Sequence, residues 1–274
     1  MASIKDMTVV VRGGGDLATG VIQKFHRSGF KVVILETGQP LAIRRTVSLC
    51  SAVYEGRYQV EDLTARKITD PAQCPAIWRN GEIPLLVDPA GQSLTCLRPT
   101  ILVDAIIAKK NLGTNRKMAP VTIALGPGFS APQDVNVVIE TMRGHQLGRL
   151  IFEGTALPNT GVPGILGGKS RERVVHSPAA GVVKHVHHIG DRVRAGEVIF
   201  YVDSTPVLSP LDGTLRGLIQ EGLTIPQGLK AADVDPRPKE TVDFLTISDK
   251  ARALGGAALE AALFELGKQR EIEV

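Results

Sequence analysis

Met7–Val11 (MTVVV) is a short apolar, mostly β-branched run that ends in Arg12 and three consecutive glycines, Gly13, Gly14 and Gly15. A run without polar alternation is the pattern of a strand buried on both faces, as in a parallel sheet. Leu17, Val21, Ile22 and Phe25 then follow at helical spacing, Gly29 closes that segment, and Lys31–Leu35 (KVVIL) forms a second apolar run. Strand, glycine turn, helix and strand in this order make the βαβ unit of a doubly wound sheet.

Gly13-x-Gly15-x-x-Ala18 matches the spacing G-x-G-x-x-G/A, in which glycines bring backbone N–H groups up to a phosphate at the positive end of a helix. Glu36 lies 21 residues after Gly15, at the end of the second strand, where such folds place the acid that takes ribose hydroxyls. The N-terminal part is therefore expected to be a Rossmann-like doubly wound α/β domain that binds a nucleotide or related phosphate. Two points oppose this. Glycines also serve tight strand–helix packing, and Asp16 sits where a phosphate would arrive, either as a helix cap or as a repelling charge. Ile83–Val87, Pro99–Lys109 and Val121–Leu125 continue the apolar alternation and support the α/β class.

Two groups of cations stand beside predicted strand ends. Arg44 and Arg45 follow the second strand, and Arg143, His145 and Arg149 follow Gly126-Pro-Gly128-Phe129. Arginine forks suit phosphates and carboxylates, and an imidazole moves protons near neutral pH. Solvated basic loops paired with nearby acids are the alternative. If a thiolate nucleophile is used, Cys50, just past the arginine pair, is the best-placed cysteine, although a buried structural cysteine is commoner.

The C-terminal half repeats itself. Ser177-Pro178-x-x-Gly181 recurs as Ser209-Pro210-x-x-Gly213, Gly190 as Gly222, and Gly196 as Gly228, each offset by 32 residues. Short β-branched strands between these turns predict a small all-β barrel-sandwich hybrid like the biotinyl/lipoyl carriers. Those carriers need a lysine on the hairpin between the halves, and none occurs from Glu197 to Pro210, so the carrier chemistry is not expected. His185 and His187 share one face of a strand, but no third ligand accompanies them and no metal site is predicted. Ser248 is a plausible cap for an Ala/Leu-rich helix over 251–266 that packs back on the body. The expected organisation is residues 1–165, 166–240 and 241–274 for domain, module and helix.

Composition excludes several functions. The net charge of +4 is small and dispersed over 274 residues, aromatics are 4%, and no apolar run reaches the length of a membrane span. Neither nucleic acid nor membrane is an expected partner, and a cytoplasmic location is expected. Self-association is left open.

Val11-Arg-Gly-Gly-Gly-Asp-Leu-Ala-Thr-Gly20, Ile43-Arg-Arg45, Gly126-Pro-Gly-Phe129, Val138–Arg149 (VIETMRGHQLGR), Asp235-Pro-Arg237 and Ile247–Ala251 (ISDKA) together resemble the YqeB-type family. Those proteins are accessory factors encoded with selenium-dependent molybdenum hydroxylases. The glycine-rich start is also similar to the Rossmann domain of chaperones that insert molybdenum cofactor into xanthine dehydrogenase. The resemblance implies a maturation factor that binds the molybdopterin dinucleotide transiently and hands it to the apo-hydroxylase. Gly13, Gly14, Gly15 and Asp16 would then lie at the pyrophosphate, Glu36 at the ribose, and Arg44, Arg45, Arg143 and Arg149 at the anionic groups. An NAD(P)-dependent redox enzyme and a ligand-free scaffold are the alternatives.

Overall fold

The computed structural model describes residues 3–162 and 164–272, with side chains described up to residue 268. The chain divides into two compact units, each with its own core. The first comprises Met1–Pro40, Ser48–Asn159 and Ile247–Val274; the second comprises Leu41–Val47 and Thr160–Thr246.

In the first unit the chain runs through β1 (Thr8–Arg12), α1 (Asp16–Arg27), β2 (Lys31–Glu36), α2 (Ala52–Glu55), β3 (Arg57–Val60), β4 (Leu63–Ile68), α3 (Cys74–Arg79), β5 (Ile83–Val87), α4 (Leu94–Leu97), β6 (Ile101–Asp104), β7 (Val121–Leu125), β8 (Ser130–Ala131), β9 (Val137–Ile139), β10 (Leu150–Ile151) and β11 (Gly154–Thr155). Nine strands form one sheet in the order β10-β9-β7-β6-β1-β2-β5-β4-β3. The strands from β9 to β4 are parallel, whereas β10 and β3 are antiparallel to their neighbours at the two margins. Val9, Val10 and Val11 on β1 are fully buried on both faces, as an unbroken apolar strand requires.

α5 (Asp249–Ile272) returns to this unit and packs along α1 and over β7 and β9. The helices touch through glycines: a Cβ on Gly20 would come 2.2 Å from the Ala251 carbonyl oxygen, and one on Gly255 2.2 Å from that of Gly20. The other face carries a core of Val10, Val33, Leu35, Ile68, Leu86 and Leu102 against Cys74, Ile77 and Trp78 of α3.

The second unit holds β12 (Val174–His176), β13 (Gly181–His185), β14 (Arg192–Val193), β15 (Val198–Val202), β16 (Thr205–Leu208), β17 (Gly213–Leu218), β18 (Thr224–Ile225) and β19 (Lys230–Asp235). They form two four-stranded antiparallel sheets, β12-β19-β17-β14 and β16-β15-β13-β18. The 32-residue offset relates β13 to β17, β14 to β18 and β15 to β19. Leu41–Val47 belongs here: the Ile43 carbonyl accepts the Leu218 N–H at 2.8 Å.

Two fold expectations are corrected. A Rossmann-like doubly wound domain takes a packed helix from each crossover, but here only the β1–β2 connection carries a helix longer than six residues, and the sheet is mixed, with antiparallel margins. The all-β region is not a self-contained C-terminal biotinyl/lipoyl-like module: it takes in a segment from the N-terminal half, while α5 packs on the first unit.

Candidate anion-binding site

In the first unit the expected phosphate loop is closed upon itself. Gly13, at φ +98°, donates its N–H to the Leu35 carbonyl at 2.8 Å. Gly14 donates to Glu36 Oε2 at 2.7 Å, and its carbonyl accepts the Cys50 N–H at 2.8 Å. A Cβ on Gly13 or Gly14 would meet backbone at 3.0 Å, at Ala105 and Cys50 respectively, so both glycines serve close packing; nothing lies within 4 Å of such an atom on Gly15. Glu36 is 9% exposed and commits its second oxygen to the Thr37 N–H at 2.7 Å. Burial pushes its carboxyl above the usual range, while the two amide bonds act the other way. The acid expected at a ribose thus holds the glycine loop.

Asp16 opens α1, and Lys250 in the first turn of α5 lies in its field, with Arg143, Glu140 and Asp249. Burial, then Arg143, lowers the Lys250 ammonium from its ordinary value. Arg143 is held in a fork by Asp249 at 3.0 and 3.1 Å, Arg149 donates to Gln146 at 3.0 Å, and His145 is exposed. The structure does not bring His145 together with a nucleophile. Cys50 is buried beneath Gly14.

The second unit gathers arginines that sequence reasoning passed over. Arg216 lies on β17, where the pairing with β19 shifts register between Leu215 and Gly217. Such a bulge re-aims a side chain. Its side chain is 15% exposed and makes one ion pair among the described residues, 3.7 Å from Asp233 Oδ2, while its buried Nε has no hydrogen-bond partner. Arg173, 6% exposed, holds the other oxygen of Asp233 and donates to the Gly164 carbonyl at 3.0 Å, yet its Nε is likewise buried without a partner. Burial, then the charge of Arg44, pushes the Arg216 guanidinium down, and Arg173 adds to this. The nearby Asp235 is not available to relieve it, because Arg237 grips both its oxygens, at 2.9 and 2.6 Å.

Among the described residues, Arg173 and Arg216 share the one carboxylate of Asp233 while Arg237 takes Asp235, two guanidinium groups on one acid. A buried charged donor left unbonded costs several kcal/mol, so this excess marks a place for acceptor oxygens from outside. Planar forks match phosphate and carboxylate. Arg45, the neighbour of Arg44, is instead structural, bonded to the Leu218 carbonyl at 2.7 Å and Gln220 Oε1 at 2.9 Å. The repeat held one signal for Arg216: it occupies the place of Lys184 in the first copy, which is exposed. No group of three or more His, Cys, Asp or Glu side chains placed to hold a metal ion occurs among the described residues. No described helix is long and apolar enough to cross a membrane.

No family model matches the chain. Among solved structures, it is similar to the ectoine utilization protein EutE (DoeB) from Ruegeria pomeroyi (12% identity, TM-score 0.25, 83% of this chain and 85% of that one). It is also similar to a succinylglutamatedesuccinylase/aspartoacylase from Rhodobacter sphaeroides (12%, TM-score 0.24, 83% and 85%). A third is an aspartoacylase family protein from Mesorhizobium loti (9%, TM-score 0.27, 85% and 86%). Among curated proteins it is 49% identical, over 255 residues, to the uncharacterized protein YqeB of Escherichia coli K12. The match covers 93% of this chain but 47% of that protein, so the chain spans about half the length of its relative. Identity of that order runs along nearly all of this chain, which is similar to YqeB over the half of that protein it spans.

Proposed function

We propose that this chain is an accessory protein of the selenium-dependent molybdenum hydroxylase system that binds a phosphate-bearing anion through Arg173 and Arg216. The observation that carries the ligand class is Arg216, whose buried Nε has no hydrogen-bond partner and whose one ion pair among the described residues is 3.7 Å long, to an aspartate that Arg173 also holds. The family resemblance supplies the system. The molybdopterin dinucleotide, with its pyrophosphate, is the ligand of this class that such a system offers, and the apo-hydroxylase is the corresponding partner. A binding role is favoured over catalysis because Cys50 is buried and His145 stands exposed, away from any nucleophile.

Calorimetric titration with pyrophosphate, molybdopterin dinucleotide and NADH tests the ligand. Arg216→Met is expected to weaken binding of the phosphate-bearing ligand at least tenfold, about 1.4 kcal/mol. The ligand-free variant should melt no lower than wild type, since an unsatisfied buried charge has been replaced by an apolar chain of similar length. Equal affinity in wild type and variant refutes the site. Unchanged selenium-dependent hydroxylase activity in cells lacking the protein refutes the assignment to that system.

A further inference from the structure

A cavity lies in the first unit at the end of the sheet opposite the glycine loop, where β2 and β5 begin. It measures about 500 Å³ and is mostly apolar, lined by Phe30, Pro75 and Trp78 with Lys5, Lys31 and Arg79 among its walls. That volume is in the range of small-molecule sites. Lys31 starts β2 and Glu36 ends it, so this cavity is about 17 Å from the glycine loop at ~3.3 Å per residue.

Its charge is one-sided. Glu82 is the carboxylate in the lining, and both its oxygens are taken, by Arg57 at 2.8 Å and Arg66 at 2.7 Å. Lys31 approaches Asp6 only to 3.9 Å, and Lys5 makes no ion pair among the described residues. The aromatic wall is fixed in place: the Trp78 indole N–H donates to the Val32 carbonyl at 2.9 Å, and Lys31 stands 5.9 Å from the ring centroid. Phe30 is locked edge-on against Phe25, with centroids 5.3 Å apart. A half-buried His26 completes the lining, and burial lowers its imidazole from the usual value, which leaves it neutral and able to hydrogen-bond at pH 7.

A fixed indole beside three cations, with Asp6 reaching only Lys31 and only at 3.9 Å and Glu82 committed elsewhere, suits a flat ring that carries a negative group. We infer that this cavity is a binding site for a small aromatic or heteroaromatic carboxylate, its ring against Trp78 and Phe30 and its carboxylate among Lys5, Lys31 and Arg79. The inference does not depend on the hydroxylase reading.

Trp78 is the sequence's one tryptophan, so intrinsic emission reports on this cavity directly. Benzoate and nicotinate are the probes, with benzamide as the neutral control. A saturable change in Trp78 emission is expected for both acids, with benzamide at least tenfold weaker. Because Lys31 touches the indole, the variants are read by calorimetry. Lys5→Met and Arg79→Gln should each weaken benzoate severalfold, and pyrophosphate binding at Arg216 should not change. Equal affinity for benzoate and benzamide, or no saturable signal from either acid at millimolar concentration, overturns the inference.

Discussion

Gly255 and Gly256 are adjacent on α5, yet replacing each with alanine should move stability in opposite directions. In the interior of a helix, glycine is about 0.8–1.0 kcal/mol less favourable than alanine, so propensity favours either change. At Gly256 nothing lies within 4 Å of the new Cβ, and the full gain of about 1 kcal/mol is expected. At Gly255 the new Cβ would stand 2.2 Å from the carbonyl oxygen of Gly20, well inside the distances that real side chains show. The obstacle is backbone, which cannot rotate away, so α1 and α5 must separate by about 1 Å along their seam. Overpacking of this kind costs about 1–3 kcal/mol, occasionally more, and the rigid partner places this case at the upper end. Less the propensity gain, Gly255→Ala should lose about 2 kcal/mol. At roughly 2–4 °C per kcal/mol for a chain of this size, the Tm should fall by about 4–8 °C, and Gly256→Ala should raise it by about 2–4 °C. Calorimetric melts of the two variants beside wild type suffice. If Gly255→Ala melts with or above wild type, the close glycine contact between α1 and α5 does not exist, and the placement of α5 on the sheet falls with it.

Glu36 and Asp104 are both raised by burial, so in the folded state each holds its proton to higher pH than in the unfolded chain. Between the two pKa values the folded state binds more protons, and their contribution to stability declines as pH rises through the ordinary carboxylate range upward. Glu36→Gln should flatten that decline in urea-unfolding free energies measured across the range; an unchanged slope contradicts the burial argument. Thiol titration at pH 8 should find one fast-reacting cysteine, the exposed Cys96, because Cys50 is buried and burial pushes the Cys74 thiol up to about 11. Cys96→Ser should abolish the fast phase, and a second fast thiol would refute the burial of Cys50 or Cys74. Asp233→Asn removes the shared counter-ion of Arg173 and Arg216, and breaking a buried pair costs about 3–5 kcal/mol. The urea midpoint should fall accordingly with an unchanged m-value, in contrast to Arg216→Met, which should not destabilise.

The run predicted over 7–11 is β1 at Thr8–Arg12, and the helical spacing of Leu17 to Phe25 is α1. The hairpin of β3 and β4 was not legible. It lies at the sheet margin, where Arg57, Gln59, Arg66 and Lys67 face solvent, and charged margins lack the apolar signal that marks central strands. The assignment of Leu41–Val47 to the second unit was hidden for another reason. Its hydrogen bonds run to Leu218 and Gln220, more than 170 positions away, and no local periodicity encodes such a partner.

The candidate site separates the same two kinds of information. The glycine pattern at 13–15 is a statement about backbone geometry, and the geometry is there: Gly13 takes a positive φ, and a Cβ on Gly14 would press on the Cys50 backbone at 3.0 Å. The pattern is silent on what fills the amides, and Glu36, read as the ribose acid from its spacing, fills one of them itself. Arginines carry the opposite ambiguity. Arg44 and Arg45 drew notice because they are adjacent in sequence, yet Arg45 is spent on backbone and side-chain acceptors while Arg44 joins Arg173 and Arg216. Those two are 43 residues apart and converge on Asp233, with Arg216 standing at the bulge of β17. A binding site made of excess buried charge is a property of the folded assembly of neighbours. It becomes visible only once each guanidinium can be matched against its acceptors and one is found without enough of them.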